Sequence, residues 1–335
     1  MESMEVSYAS ELDGGFQVKV NYIPNLTSLA NEHLTFKGGM KENSLSGLYS
    51  TSGTGWTMAA LFSLTSGLPF KFPIEGNSMD KVQSFASSLT TMGDLLEAAG
   101  YVNEFICGSD ASFGGRKNYF EQHGNYQIFD LHTAREQNYI APDYSVFWGF
   151  EDEILYRIAK DEVTRLADNV QPFNLTLLTV DTHHVGGYVC GICESQHSEP
   201  LGNVIQCADK QVVEFIDWCK TQEWYEDTVI VIVGDHPRMD KILLEEATSY
   251  DRALYNCFIN VDMNENVQTE NRVLNPMDIF PSVMWALGFR FEGNRLGLGT
   301  NIFSGGQTLA EELGFENYNE SIGQYSQYFI DEIVK

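Results

Sequence analysis

Apolar and polar positions alternate along the chain in blocks that predict helices and strands in turn. Apolar residues recur every three or four positions in segments 151–167 and 203–220, a period that is typical of amphipathic helices. Short apolar runs of strand length follow these helices, at 173–180 and 228–233. The same alternation predicts further helices at 24–32, 58–66, 91–99 and 275–287, and further strands at 101–107 and 255–261.

Strands that alternate with helices predict an α/β fold, with a mostly parallel central sheet and helices on both of its faces. Ligands of such folds bind at the carboxyl ends of the strands, so polar residues at strand ends are the first candidates for a site. The alternation breaks near residue 291, where Gly, Asn, Glu and Tyr become frequent. We therefore predict a main domain at 1–290 and a small C-terminal subdomain at 291–335.

Composition and charge exclude several classes of function. Of the 335 residues, 43% are hydrophobic, which is enough for a sizeable core, so intrinsic disorder is excluded for most of the chain. Lys and Arg number 20 against 47 Asp and Glu, and the net charge of −27 repels nucleic acid. No apolar run approaches the roughly 18 residues of a membrane span. We expect a soluble domain that does not bind nucleic acid.

The strongest local signal is the end of the strand at 228–233, which runs into Gly234, Asp235 and His236. A carboxylate and an imidazole side by side at a strand end suit a bound Zn²⁺ or Mn²⁺. The alternative is a turn in which Asp235 caps backbone amides and His236 is merely exposed.

A second signal is the glycine-rich segment 53–57, which leads directly into an apolar helix. The amides at a helix N-terminus favour an anion beside Thr57, and a metal ion that lowers the pKa of this hydroxyl would let it attack phosphorus or sulfur. The segment is not a P-loop, because no Gly-Lys-Ser/Thr follows. The alternative is a flexible turn with an N-cap threonine.

Polar residues also follow two other predicted strands. His183 and His184 come after the strand at 173–180, and we expect them to point in different directions, so that one faces the site. Asp110 and Arg116 follow the strand at 101–107, and an arginine fork suits phosphate. Solvated loop histidines and an ordinary surface ion pair are the respective alternatives. Glu2 and Glu5 carry no local signal, and their pattern is that of a frayed terminus.

Taken together and in order, these segments resemble the alkaline phosphatase and sulfatase superfamily. Within it they are similar to the phosphoglycerol transferases, which include lipoteichoic acid synthase and the enzyme that decorates osmoregulated periplasmic glucans. The resemblance runs from Glu2-Ser3 through segments 53–57, 181–183 and 234–236 to 295–299, which is nearly the whole chain. It implies that residues 1–290 form an alkaline phosphatase-like catalytic domain.

The resemblance also implies a metal site and its ligands. Glu2 matches the glutamate that ligates the metal ion, Thr57 matches the nucleophile that is also a ligand, and Asp235 and His236 match the remaining ligands. The cofactor implied is Mn²⁺, with Mg²⁺ or Zn²⁺ as alternatives. In the family an apolar strand comes directly before Glu-Ser, and this chain lacks it, so we expect a truncated first strand and a less firmly held Glu2.

The substrates follow from the resemblance as well. His183 matches the histidine that contacts the substrate phosphate, and Asp110 and Arg116 fall near the polar pair that holds the glycerophosphate. The donor implied is phosphatidylglycerol, and the acceptor is a glycan or polymer hydroxyl. The domain is then expected at the extracellular or periplasmic face of the cell membrane, anchored by segments absent from this chain.

Three other functions remain open at this stage. Sulfatases of the superfamily carry a Cys/Ser-x-Pro/Ala-x-Arg pattern at the nucleophile, and residues 57–61 lack the arginine. Phosphoethanolamine transferases usually keep more zinc ligands than this sequence offers. A non-catalytic domain that binds glycerophosphate or glycan is the alternative outside enzymes.

Three cysteines, Cys190, Cys193 and Cys207, lie close together in sequence. Because the family context is extracytoplasmic, two of them are able to form a disulfide. The alternatives are unpaired thiols, or a second metal site completed by His184 or His197. The sequence does not choose among these pairings.

Overall fold

The structure is a computed structural model that describes residues 1–74, 76–262 and 267–334. The chain divides into two compact units. The first unit comprises Met1–Phe70 and Thr182–Gln324, and the second comprises Lys71–Asp181 and Tyr325–Lys335. The division predicted between residues 290 and 291 stays a prediction.

The strands of the described residues form three small sheets. In chain order the strands are β1 (Val102–Cys107), β2 (Gln127–Phe129), β3 (Phe173–Leu178), β4 (Ile230–Val233), β5 (Asn256–Ile259), β6 (Arg295–Leu296) and β7 (Gly299–Thr300). The second unit contains a parallel sheet of order β2-β1-β3. The first unit contains two antiparallel pairs, β4-β5 and β6-β7.

Helices account for most of the remaining regular structure. In chain order they are α1 (Pro24–Glu32), α2 (Thr57–Ser66), α3 (Met92–Ala98), α4 (Arg116–Gln122), α5 (Leu131–Glu136), α6 (Asp152–Ala167), α7 (Pro200–Cys219), α8 (Ile279–Ala286), α9 (Leu309–Leu313), α10 (Phe315–Gly323) and α11 (Gln327–Glu332). Within the described ranges, none of these helices has the length and apolar character that crossing a membrane requires.

The second unit is the α/β part of the molecule that the sequence pattern predicts. Helix α6 packs on β1 and β3, while α3 packs on β1 and α4 and α5 pack on β2. The apolar side chains of β1 and α6, among them Ile106, Leu155 and Ile158, are buried in one cluster with Phe129 and Phe150. The α/β class is therefore confirmed, with helices flanking a parallel sheet.

In the first unit the strand direction differs from the expected parallel arrangement. Strand β5 runs antiparallel to β4, with Ile230 opposite Ile259. Parallel neighbours need a crossover connection, usually a helix, and the segment between β4 and β5 forms neither helix nor strand. The chain therefore returns alongside β4 in the opposite direction. A core of aromatic and aliphatic side chains, including Phe36 and Phe258, is packed around this ladder.

The first residues of the chain lie against the end of this ladder. The Met1 amino group donates to the Val233 carbonyl at 2.6 Å, and the Asp235 amide donates to the Met1 carbonyl at 3.0 Å. A Cβ atom on Gly234 would meet the Met4 carbonyl oxygen at 2.0 Å, so only glycine fits this approach. The N-terminal segment is thus fixed next to the strand end that carries Asp235.

Candidate active site

Three predicted ligands from distant parts of the chain meet at the carboxyl end of β4. Glu2, Asp235 and His236 each bring one ligand atom within 4.8 Å of the others, and all three side chains are buried. Asp235 and His236 come directly after β4, and Glu2 is brought to them by the N-terminal segment. Two carboxylates and an imidazole form a set of hard and borderline donors, the kind that divalent first-row metal ions take.

The two oxygens of the Asp235 carboxylate have different surroundings. Its Oδ1 accepts hydrogen bonds from the backbone amides of Ser3 and His236, at 2.8 and 2.7 Å. Its Oδ2 is buried and accepts no hydrogen bond from the residues that the structure describes, although it lies 3.5 Å from the His236 Nε2. Burial, followed by the negative charge of Glu2, raises the pKa of Asp235 to about 6. A buried carboxylate oxygen without a hydrogen-bond donor costs free energy, and a bound cation would offset that cost.

The ring of His236 is also oriented so that one of its nitrogens is suited to bind a cation. Its Nδ1 lies 3.0 Å from the Pro237 carbonyl, and since a carbonyl only accepts, Nδ1 carries the proton. Nε2 then presents a lone pair, 3.5 Å from the Glu2 Oε1. Burial by itself lowers the pKa of His236, but the charges of Asp235 and Glu2 outweigh it and raise the pKa. A lone pair facing two carboxylates fits a metal ion, and the backbone carbonyl is a usual second partner of a ligating histidine.

Thr57 joins this group as the first residue of α2. The N-cap residue of α2 is Trp56, not Thr57, and no side chain caps the helix. The threonine hydroxyl is therefore not used as a helix cap. Its Oγ1 donates to the Glu2 Oε2 at 3.2 Å and lies 3.3 Å from the His236 Nε2. The structure therefore brings all four residues of the predicted metal site together, with the hydroxyl at a helix N-terminus that favours negative charge.

A buried ionic network that the sequence did not reveal lies beside the site. Glu5 is fully buried and pairs with Arg252, while the amide of Arg238 donates to the same carboxylate at 2.7 Å. The Arg238 guanidinium pairs with Asp240 at 2.7 Å and donates to the carbonyl of Thr182. The only sequence signal was an arginine two positions after the Asp-His pair. The network ties the N-terminal segment to the chain on either side of the site.

His183 also lies in the first unit, close enough to the charges of Asp235 and His236 for them to influence its pKa. Burial is the main influence and lowers this pKa. The ring stacks on that of His184, with centroids 4.2 Å apart, so the two histidines do not diverge as predicted. The prediction assumed extended backbone, whereas the chain forms turns at 181–182 and 184–186. The Nδ1 of His183 donates to the His184 carbonyl.

Asp110 and Arg116 belong to the second unit. The Arg116 guanidinium is buried and donates to the backbone carbonyls of Asp110 and Phe113, at 2.7 and 3.1 Å. The Asp110 carboxylate instead accepts from Ser112 and lies 3.3 Å from the His132 Nε2. The pair is therefore not the surface ion pair considered as the alternative. Its role in substrate binding stays a prediction.

Comparison with known proteins places the chain in a family. A family model described as Sulfatase matches residues 2–289. A phosphoglycerol transferase I from Xanthomonas axonopodis pv. citri (strain 306) is 32% identical over 269 residues, covering 78% of this chain and 36% of the relative. The chain thus spans little more than a third of that relative's length.

Two solved structures share the fold. The lipoteichoic acid synthase LtaP from Listeria monocytogenes has a TM-score of 0.69 at 21% identity, covering 90% of this chain and 74% of its own. The Streptococcus pyogenes phosphoglycerol transferase GacH, solved with sn-glycerol-1-phosphate, has a TM-score of 0.55 at 14% identity, covering 85% of this chain and 72% of its own. Together with the match over most of the sequence, these likenesses confirm the predicted superfamily. The chain belongs to the sulfatase family, within the alkaline phosphatase superfamily.

Proposed function

We propose that this domain is a metal-dependent phosphoglycerol transferase, which moves glycerophosphate from phosphatidylglycerol to a glycan or polymer hydroxyl. The observation that carries the proposal is the position of the Thr57 hydroxyl, within 3.3 Å of both Glu2 and His236 at the start of α2. The relative with 32% identity is named phosphoglycerol transferase I, which supports a transfer of this class. A nucleophile that is held in this way suits a double displacement with a covalent intermediate.

The residues present fit a divalent cation, and we propose that Glu2, Asp235, His236 and Thr57 hold it. Mn²⁺ suits the mixed set of carboxylate, imidazole and hydroxyl donors, with Mg²⁺ or Zn²⁺ as alternatives. When bound, such an ion neutralises charge on oxygens as it develops and lowers the pKa of a ligating hydroxyl.

In the first displacement, the Thr57 Oγ1 attacks the phosphorus of the donor diester. The Oγ1–P bond forms and the bond from phosphorus to the diacylglycerol oxygen breaks, and this oxygen takes a proton from solvent as diacylglycerol leaves. The Glu2 Oε2, which accepts the Thr57 hydroxyl proton at 3.2 Å, is placed to receive it as the attack begins. The amides at the start of α2 stabilise the negative charge at Thr57.

In the second displacement, an acceptor hydroxyl attacks the glycerophosphoryl group on Thr57. His183 is suited to take the proton of this hydroxyl, because its Nδ1 donates to a carbonyl and its Nε2 therefore carries the lone pair. Burial lowers its pKa, which keeps the ring neutral and able to act as a base. The Oγ1–P bond then breaks, the Thr57 oxygen recovers its proton from Glu2, and His183 releases the acceptor's proton to solvent.

The same proposal sets the partners and the location of the domain. A phosphatidylglycerol donor places the domain at the extracellular or periplasmic face of the cell membrane, with anchoring by segments outside this chain. The net charge of −27 argues against a nucleic-acid partner.

The test is to incubate the Mn²⁺-loaded domain with phosphatidylglycerol and no acceptor, and to measure intact mass and released diacylglycerol. We expect part of the protein to gain one glycerophosphoryl group on Thr57. Thr57→Ala should show neither adduct nor diacylglycerol while remaining folded, and Thr57→Ser should keep both.

Three results would overturn the proposal. Undiminished diacylglycerol release by Thr57→Ala would remove the nucleophile. Binding of glycerophosphate with no turnover by the wild type would make this a binding domain. An adduct formed from phosphatidylethanolamine but not from phosphatidylglycerol would instead identify a phosphoethanolamine transferase.

A further inference from the structure

Three thiols meet in the first unit at a place that the proposed mechanism does not use. The Cys190 Sγ lies 3.4 Å from the Cys193 Sγ and 3.8 Å from the Cys207 Sγ. All three sulfur atoms lie within 4.8 Å of one another, and all are free thiols. Cys190 and Cys193 sit on a tight turn, in which the Cys193 amide donates to the Cys190 carbonyl at 3.2 Å, and Cys207 lies on α7.

The spacing of the sulfur atoms fits a shared metal ion. A Zn²⁺ ion holds thiolates at about 2.3 Å, so the sulfurs at the corners of its tetrahedron are roughly 3.8 Å apart. The two measured separations of 3.4 and 3.8 Å are close to this edge length. Two cysteines separated by two residues on a turn, with a further cysteine on a following helix, is also the ligand spacing of structural zinc sites.

Thiolates at this spacing repel one another unless they share a cation. More than one negative sulfur in this group therefore needs a positive charge beside it. The Gln211 amide, which donates to the Cys207 Sγ at 3.5 Å, offers a dipole and no charge.

The thiols join α7 to the segment that carries His183. The irregular segment 182–199 carries His183 at its start and Cys190 and Cys193 further on. Its later part is attached to α7 by Asn203, whose Oδ1 accepts from two backbone amides at 2.8 Å. The three sulfurs form a second attachment of the segment to α7, nearer to His183.

We propose that Cys190, Cys193 and Cys207 bind a second metal ion, Zn²⁺, through three thiolates, and that this ion fastens segment 182–199 to α7. Each thiol loses its proton on binding, and the protons go to solvent. Neither histidine predicted from the sequence completes the set within the described residues, since the group has three members and the His197 Nε2 contacts Gln206 at 2.9 Å. The fourth position is therefore left to water.

The test uses the reduced domain after removal of metal with a chelator. The Asp235→Ala background separates this site from the proposed catalytic one. In that background we expect about one equivalent of bound Zn²⁺ by elemental analysis, and Cys193→Ser should abolish it. Cys219→Ser is the matched control, because Cys219 is a buried thiol on the same helix outside the group, and it should retain the ion.

Two readouts do not depend on a variant. Co²⁺ added to the reduced wild type should give the near-ultraviolet charge-transfer band of thiolate ligation and the visible bands of a tetrahedral ion. Zn²⁺ should slow amide hydrogen exchange in segment 182–199 by at least about tenfold, since local opening would then require loss of the ion.

Three outcomes would overturn the proposal. One is a Co²⁺ spectrum without thiolate bands, and another is unchanged Zn²⁺ stoichiometry in Cys193→Ser. The third combines two findings: thiol titration detects two thiols fewer in the unreduced protein than in the reduced protein, and the reduced protein binds no Zn²⁺. The group would then be a disulfide site instead. None of these results bears on the adduct test at Thr57, so the two proposals fail separately.

Discussion

Gly234→Ala tests whether the fit of the N-terminal segment against β4 determines the metal site. The added Cβ would lie 2.0 Å from the Met4 carbonyl oxygen, about 1.4 Å short of the 3.4 Å at which ordinary contact begins. The blocking atom is backbone, and it is fixed because it accepts the Tyr255 amide at 3.1 Å. Neither side can yield by rotating a side chain.

The displacement must fall on one of the two segments that carry metal ligands. Met4 is two residues from Glu2, and Gly234 directly precedes Asp235. Overpacking of this kind typically costs about 1–3 kcal/mol, and we expect the upper end because a backbone hydrogen bond is strained as well. A misplacement of about 1 Å at a catalytic group typically costs on the order of 10²-fold in rate.

The assay is Mn²⁺ titration by calorimetry, together with thermal unfolding. Gly234→Ala should bind Mn²⁺ at least about tenfold more weakly and unfold several degrees lower than the wild type. Gly323→Ala is the matched control, since its Cβ would meet only the Ser52 Oγ, at 3.8 Å. Mn²⁺ affinity and melting temperature of Gly234→Ala equal to those of the control would refute the reasoning.

Three further predictions concern single side chains. His183→Ala should lower diacylglycerol release on the order of 10²-fold, and a larger loss in His184→Ala would reverse the assignment. Glu5→Gln breaks the buried pair with Arg252 and should cost about 3–5 kcal/mol by urea unfolding, so a loss below about 1 kcal/mol contradicts it. Burial raises the pKa of Asp278 from 3.8 to about 7, so the folded state binds its proton more tightly and stability should fall as pH rises between these values. Asp278→Asn should flatten that decline in melting temperature, and an unchanged slope would exclude Asp278 as its source.

The local pattern of the sequence determined where most elements lie. The helix predicted at 24–32 has the same bounds in α1, and the strand predicted at 101–107 differs from β1 by one residue. Both follow from periodicity and from end signals such as Pro24 and Gly100, which act within a few residues. Polar residues at strand ends likewise pointed to Asp235, His236 and His183, because ligands of α/β folds bind at the carboxyl ends of the strands.

Features that depend on contacts between distant residues were decided only by the tertiary structure. Glu5 has the sequence pattern of a frayed terminus, yet it is fully buried against Arg252, 247 positions away. The antiparallel course of β5 and the meeting of Cys207 with Cys190 also depend on how the chain returns. Local periodicity does not show which distant segments will meet. The free energy that fixes these contacts comes from burial and pairing between segments that are far apart in sequence.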